Sequence, residues 1–262
     1  MRDLRATVSS VEPHPLPYFT LHLEIAEDFL PVVPGQFVMV EVGERLEPYL
    51  RRPFSVHDLR VAGSRVEIDL LGKVIGRGTH LLSTASPGSI LRVLGPLGRG
   101  FEVQPHDRVA LVAGGVGSAA LLLLGRQLAD RRIPFDFYYG GRSSIDLPCR
   151  SDFEEAATAS GGSCIVTTED GSEGREGLVT GPLGEALEQG AYGFLYACGP
   201  MGLLAALAGL ARDHGVAGEA ALEAPMGCGY GACLGCAVPH VDGHFALCCK
   251  DGPVFRFDEV RW

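Results

Sequence analysis

Polar and apolar residues alternate over residues 20–25, 36–42 and 65–70, the period-two signature of strands that bury one face. Pro31, Pro34-Gly35, Gly63, Pro87-Gly88 and Gly95-Pro96 punctuate these runs. Short strands at such close spacing predict an antiparallel barrel or sandwich over the first hundred residues. Near residue 100 the pattern changes. Residues 108–113 form a short continuous apolar run, as a strand buried on both faces does. Gly114-Gly115-Val116-Gly117-Ser118 and a helical stretch over 119–129 follow it. Further strands are expected at 135–141, 164–168 and 193–200, with a Leu/Ala-rich helix at 203–211. Strands alternating with helices predict a doubly wound parallel sheet. From about Glu223 neither pattern continues, and Cys228, Cys233, Cys236, Cys248 and Cys249 cluster among glycines. The expected organisation is therefore multidomain β plus α/β: an antiparallel β-barrel over residues 1–99, a nucleotide-binding α/β domain over 100–221 and a small cysteine-rich domain over 222–262.

The composition narrows the function classes. Hydrophobic residues make up 46% and charged residues 21% of the 262, enough for real cores, which excludes a mainly disordered chain. The formal charge of -10 argues against a nucleic-acid partner. Glycine, at 36 residues, is about twice its usual share of roughly 7%, which suggests places where backbone approaches a ligand closely. The most apolar runs, 119–124 and 203–210, fall short of the roughly 20 residues a bilayer requires, and the first residues lack the apolar stretch of a targeting signal. No membrane association and a cytoplasmic location are expected. There, eight cysteines point to metal or redox chemistry more than to disulfides.

Cys228, Cys233 and Cys236 follow C-x4-C-x2-C, the ligand spacing of plant-type 2Fe-2S sites. The small residues Gly229, Gly231, Ala232 and Gly235 let backbone wrap closely around sulfur and aim N–H groups at it. A zinc site is the first alternative, but zinc usually takes two C-x2-C-like pairs and one is present; buried structural cysteines are the second. Spacing does not choose between Cys248 and Cys249 as the fourth ligand. Cys149 and Cys164 read as small buried apolar residues.

In the first domain Arg51-Arg52-Pro53-Phe54-Ser55-Val56 precedes Gly76-Arg77-Gly78-Thr79. An arginine neutralises a pyrophosphate, a serine hydroxyl hydrogen-bonds a flavin edge, and a Gly-Thr turn opening a short helix offers N–H groups to phosphate. Each signal is common alone; in this order, on a barrel ahead of an α/β domain, they predict flavin binding. Gly114, Gly115 and Gly117 lie between a strand and a helix, where a dinucleotide pyrophosphate meets backbone N–H groups; a plain tight turn is the alternative. Cys198-Gly199-Pro200 follows a later strand at the same carboxyl edge, and Cys198 is either a neighbour of a nicotinamide or a buried strand-end residue. NAD and NADP are not distinguished, since Arg142 could meet a 2′-phosphate or pair with Asp146.

A barrel, Arg-Pro-x-Ser, Gly-x-Gly-Thr, Gly-Gly-x-Gly and Cys-Gly-Pro, in this order, resemble the ferredoxin–NAD(P)H reductase superfamily. The tail from Met226 to Cys236, with Cys249-Lys-Asp-Gly-Pro-Val-Phe255, is similar to the electron-transfer subunits of type B dihydroorotate dehydrogenase. The resemblance covers essentially the whole chain, and the cysteine tail is its most specific part. It implies FAD in the barrel, a 2Fe-2S cluster in the tail, NAD as substrate, and a heterotetramer with two FMN-containing dihydroorotate dehydrogenase catalytic subunits. It implies Cys249 as fourth ligand, because the family's fourth cysteine directly precedes x-Asp-Gly-Pro, and it implies flavin contacts at Arg52, Pro53, Phe54, Ser55, Leu71, Gly72, Lys73, Gly78 and Thr79. Phe54 is bulkier than the aliphatic residue expected there, which suggests contact with the flavin ring. The superfamily's stacking tyrosine has no counterpart in Trp262, because the cysteine tail occupies that end. The implied function is a relay from the partner's FMN through the cluster and FAD to NAD+, an oxidoreductase role in pyrimidine biosynthesis with no side chain required as acid or base. The alternative is a reductase subunit for a hydrogenase or a ferredoxin-linked transhydrogenase.

Overall fold

The computed structural model describes every residue except 43–47, 64 and 104. Its first half contains β1 (Arg2–Pro13), β2 (Tyr18–Ala26), β3 (Phe37–Val40), β4 (Arg52–Ser55), β5 (Asp58–Ala62), β6 (Arg65–Lys73), α1 (Arg77–Ser83) and β7 (Ile90–Leu97). These strands form one antiparallel sheet in the order β4-β3-β7-β1-β2-β6-β5. The two edge strands are consecutive in sequence, and only Val56 and His57 separate them. Three Cα steps reach at most about 11 Å, whereas a flat seven-stranded sheet sets its edges about 29 Å apart. The sheet must therefore curl until its edges meet, which makes the barrel. The alternation read from the sequence is its wall: Leu21, Leu23 and Ile25 are buried while His22 and Glu24 between them are partly exposed.

The second half contains β8 (Val109–Gly114), α2 (Leu122–Asp130), β9 (Phe135–Gly141), α3 (Arg150–Ser160), β10 (Cys164–Thr168), β11 (Arg175–Glu176), α4 (Thr180–Glu188), β12 (Phe194–Cys198), α5 (Met201–Asp213) and β13 (Ala217–Ala221). The sheet order is β11-β10-β9-β8-β12-β13, all parallel. Adjacent residues of β8 serve opposite faces. Leu111 and Ala113 join Leu124, Leu128 and Phe153 on one side, and Ala110 and Val112 join Leu183, Leu204 and Leu207 on the other. Both faces are thus covered, which is why the strand reads as an uninterrupted apolar run. The expected helix over 119–129 starts later. A 3-10 turn spans Gly115–Ala120 and α2 begins at Leu122. Gly115 takes φ +54°, and a Cβ on Gly117 would meet the Cys198 carbonyl oxygen at 2.6 Å, so the chain leaves β8 in a tight turn pressed against β12.

The tail holds β14 (Ala237–Pro239), β15 (Phe245–Leu247) and β16 (Val254–Arg256). β14 and β15 form a separate hairpin, while β16 pairs antiparallel with β13 and extends the parallel sheet. Phe255 and Cys236 share one apolar core with Met39 and Leu97 of the barrel and Ala220 of β13, so the tail packs at the junction of both larger units. No helix among the described residues is long and apolar enough to cross a membrane.

Candidate functional site

Two cavities meet between the barrel and the α/β unit. The first, of about 640 Å³, is floored by the barrel: Arg52, Pro53, Phe54 and Ser55 from β4, Leu71, Gly72 and Lys73 from β6, and Thr79 from α1. Its far wall is Gly117, Cys198 and the segment from Ala221 to Met226. Gly78 is not in the lining, yet a Cβ on it would meet Arg52 Nε at 2.5 Å, so its bare backbone lets the guanidinium lie across the start of α1. Arg52 also donates to the Leu50 carbonyl. Thr79 Oγ1 accepts from Ile75 N at 2.9 Å and donates to Gly76 O at 3.1 Å, so this hydroxyl holds the turn itself. Phe54 meets Phe19 edge-on with centroids 6.3 Å apart, and a Cβ on Gly72 would touch Phe54 at 2.7 Å. Its bulk is thus partly taken up in closing the barrel beneath the cavity. A cradle of bare backbone beside an arginine, over a largely apolar floor, fits a flavin dinucleotide.

The second cavity, of about 570 Å³, opens at the carboxyl ends of β8 and β12, where the chain reverses the direction in which strands are added to the sheet. Ligands bind open α/β sheets at such a switch point. Gly114, Gly115 and Gly117 line one side, Gly199 and Pro200 the other. Lys73, Val116, Gly117 and Glu223 line both cavities, so the two are continuous. Cys198 lies on the flavin side of this junction. It is fully buried, and burial holds its thiol well above the ordinary pKa, in the neutral form. Arg142 Nε approaches Asp146 at 3.8 Å. Tyr18 donates to the same carboxylate at 2.5 Å, and Lys73 Nζ lies 3.9 Å from it. Asp146 thus ties the barrel to the α/β unit at the cavity mouth. Burial, followed by the hydrogen bond to Asp146, raises the pKa of Tyr18 and keeps its hydroxyl a donor.

Four cysteines converge in the tail. Cys236 Sγ and Cys249 Sγ are 3.2 Å apart. Cys228 Sγ accepts from the N–H groups of Tyr230, Ala232 and Cys233 at 3.5, 3.3 and 3.4 Å, and Cys249 Sγ from Gly231 at 3.1 Å. Gly229 and Gly231 adopt φ +83° and +87°, the left-handed conformation that turns these N–H groups inward. Burial opposes ionisation of Cys228, but the N–H groups outweigh it and bring the thiol down to about 6. A set of sulfur ligands ringed by N–H donors fits an iron–sulfur cluster. Cys248 faces elsewhere: its Sγ is 3.3 Å from the Leu222 carbonyl, and burial pushes it up to about 12. Cys149 and Cys164 are half-buried and pack against the apolar core of the α/β unit, and both are thiols without a disulfide.

Sequence reasoning missed the connecting wall, Ala221 to Met226. Desolvation raises the pKa of Glu223 there. Met226, in the flavin cavity, stands two residues before Cys228, and a Cβ on Gly229 would meet Met39 of β3 at 2.5 Å. The signal was the position of this segment between a strand end and the first cysteine.

The iron-sulfur cluster binding domain of dihydroorotate dehydrogenase B matches residues 223–261, and an oxidoreductase NAD-binding domain matches residues 111–208. A dihydroorotate dehydrogenase B (NAD(+)) electron transfer subunit of Desulforamulus reducens is 37% identical over 235 residues, 88% of this chain and 87% of its own. The protein of the same name from Geobacillus kaustophilus is 39% identical over 233 residues, 87% of this chain and 86% of its own. Among solved structures, a chain from the NADH-dependent reduced ferredoxin-NADP oxidoreductase superposes with a TM-score of 0.85 at 28% identity, covering 98% of this chain and 90% of that one. The cytochrome b5 reductase domain of Ulva prolifera nitrate reductase shares the fold, with a TM-score of 0.67 at 14% identity, over 82% of this chain and 93% of that one.

Proposed function

Because the chain belongs to the family of dihydroorotate dehydrogenase B electron-transfer subunits, we propose that it passes electrons from a dihydroorotate-oxidising partner to NAD+. The partner is an FMN-containing catalytic subunit, the assembly is a heterotetramer of two plus two, and it works in the cytoplasm. Residues 1–99 form the FAD domain, 100–221 the NAD domain and 222–262 the cluster domain.

Bound FAD supplies exchange between single electrons and hydride, and a 2Fe-2S cluster supplies single-electron transfer. The chain's own residues bind and orient. Cys228, Cys233, Cys236 and Cys249 hold the irons, while backbone N–H groups offset the charge on sulfur. Arg52, over the bare backbone of Gly78, would neutralise the FAD pyrophosphate, and Ser55 and Gly72 on the barrel floor would hold the flavin ring. Gly114, Gly115, Gly117, Gly199 and Pro200 let NAD+ approach at the switch point. Cys198, neutral and buried, would give the junction of the two cavities a small wall beside a nicotinamide. No side chain is needed to donate or remove a proton.

The observation that carries this reading is continuity: the cysteine loop joins the flavin cavity through Met226, and that cavity opens into the nucleotide cavity at Gly117. The test is anaerobic. The chain is purified with the partner it brings, dihydroorotate is added, and the flavin and cluster absorbance is followed. Bleaching that NAD+ reverses supports the relay. Bleaching by NADH but not by dihydroorotate keeps the reductase and removes the partner. The likeness to the ferredoxin-NADP oxidoreductase chain favours one second reading, a transhydrogenase subunit, for which reduced ferredoxin would replace dihydroorotate in the same cuvette.

A further inference from the structure

We propose that His240, Asp242 and His244 form a binding site for a divalent transition metal, zinc foremost, separate from the cysteine loop. The three residues sit on the turn joining β14 to β15. Each offers one ligand atom, and these atoms lie within 4.8 Å of one another. Two imidazoles and a carboxylate are a donor set that zinc, nickel and copper take, in contrast to the all-sulfur set of the cysteine loop. Ligands bound at about 2.0–2.2 Å in tetrahedral geometry stand roughly 3.3–3.5 Å apart. His240 Nδ1 and Asp242 Oδ2 are already 3.3 Å apart; the same nitrogen accepts from Asp242 N at 3.3 Å, a contact that an ion would replace. The rings of His240 and His244 face each other with centroids 4.3 Å apart and planes 27° from parallel. Stacked rings aim their in-plane lone pairs nearly parallel, so binding requires the exposed His244 ring to turn out of this stack and direct its ligand atom, within 4.8 Å of the other two, toward the ion.

The backbone beneath is fixed. His240 N donates to His244 O at 3.0 Å and Gly243 N to His240 O at 3.1 Å, with Gly243 at φ +85° turning His244 back over His240. On the other side His240 bridges to Val260, and Val241 N donates to Glu259 O at 3.0 Å. Binding would therefore order few groups beyond the side chains themselves, which lowers its entropic cost. Three protein ligands leave a fourth position to water. Cys236 immediately precedes β14 and Cys248-Cys249 immediately follow β15, so an ion at the tip would clamp the hairpin whose far ends carry two of the proposed iron ligands.

The experiment uses the full chain with its cluster already assembled, so that the cysteines are occupied. It is dialysed against zinc ions, and zinc and iron are counted per chain by metal analysis. One zinc in addition to undiminished iron is expected. The pair His240→Gln and His244→Gln should weaken zinc binding at least tenfold, with NADH-driven flavin bleaching unchanged. Asp242→Asn, which removes only a charge, should weaken it less and serves if the double variant loads its cluster poorly. Bound copper(II) should show nitrogen hyperfine coupling in its electron paramagnetic resonance spectrum, lost in the double variant. Absence of bound zinc, equal binding in the variants, or zinc appearing only as iron is lost would each overturn the proposal.

Discussion

The barrel and the cysteine tail are ordered by different means. The barrel encloses its own aliphatic core, with Val8, Leu21, Leu23, Val38, Ile68 and Val93 each at most 1% exposed, and projects Arg52, Ser55 and Lys73 from the rim of that rigid wall. Among the described residues the tail has no separate core. Cys236, Cys248, Cys249, Phe255 and Val260 are buried, but in an apolar cluster shared with β3, β7 and β13, and β16 is held as an edge strand of the neighbouring sheet. The barrel therefore gains order from its own burial, and the tail from its neighbours and from whatever its sulfurs bind. Damage to the tail should spare the barrel.

The largest effect that tests this asymmetry is Cys236→Ser. Its sulfur is buried beside Cys249 Sγ, at 3.2 Å. The variant should lose its iron and all electron transfer with the partner, yet keep FAD and NADH-driven flavin bleaching. Iron analysis and anaerobic spectra check both halves. Loss of FAD along with iron would mean that the two regions are ordered together.

Next in size is Phe255→Ala. Phe255 is 4% exposed, lies on β16 opposite Ala220, and covers Gly252, where a Cβ would meet its ring at 2.2 Å. Deleting a buried phenylalanine costs about 3–5 kcal/mol. Here the cost should fall on the docking of the tail. Denaturant unfolding followed by cluster absorbance should shift to lower denaturant by more than unfolding followed by flavin fluorescence, and coincident shifts would contradict the separation.

The same asymmetry explains what the sequence made legible. β8, β9 and β12 stand out because strands covered on both faces are written as apolar runs, and β2 and β6 because one covered face alternates; β3, read as alternating, is instead buried throughout, with Val38 and Val40 in the barrel core and Phe37 and Met39 against the tail. β13 reads Ala-Gly-Glu-Ala-Ala and carries no such signal; it is a strand because β12 and β16 supply its hydrogen-bond partners. β16 was invisible for the same reason. Helices α3 and α4 went unremarked, their apolar stripes being narrow: Phe153, Ala156 and Ala157 in one, Leu183 and Leu187 in the other. Motif residues were readable individually, since glycines and cysteines declare themselves. The wall from Ala221 to Met226 was not, because it serves the site by position rather than by residue type.

Arg52→Ala gives a smaller effect on the barrel side. If the guanidinium meets the FAD pyrophosphate, its loss costs about 1.5–3 kcal/mol, a tenfold to hundredfold drop in FAD affinity. Equilibrium dialysis of FAD measures this. Iron content should stay at the wild-type level, which is the reverse of the Cys236→Ser pattern and completes the comparison.

The smallest expected effect lies within the barrel wall. His22 Nδ1 is 2.6 Å from Asp69 Oδ1, and that hydrogen bond raises the His22 pKa above its ordinary value of about 6.5. A raised folded-state value means that the contribution is complete below the unfolded pKa and disappears as pH rises through the folded one. Burial pulls Asp69 upward, but hydrogen bonds from His22 and Arg60 outweigh it and lower its pKa, so its own contribution persists above the ordinary carboxylate range and is lost only in acid. Arg60 contacts both Asp69 oxygens at 2.8 and 2.9 Å and stays charged throughout, so Asp69 keeps a partner when His22 is removed. His22→Gln should therefore lower the denaturation midpoint slightly below about pH 6.5, and the deficit should shrink as pH rises through the raised folded-state value of wild-type His22. His57 acts in the opposite direction: burial lowers it to about 4, so it resists protonation on folding and removes stability as pH falls below its unfolded value. A His22→Gln deficit that grew toward alkaline pH would assign the contact to packing and not to charge.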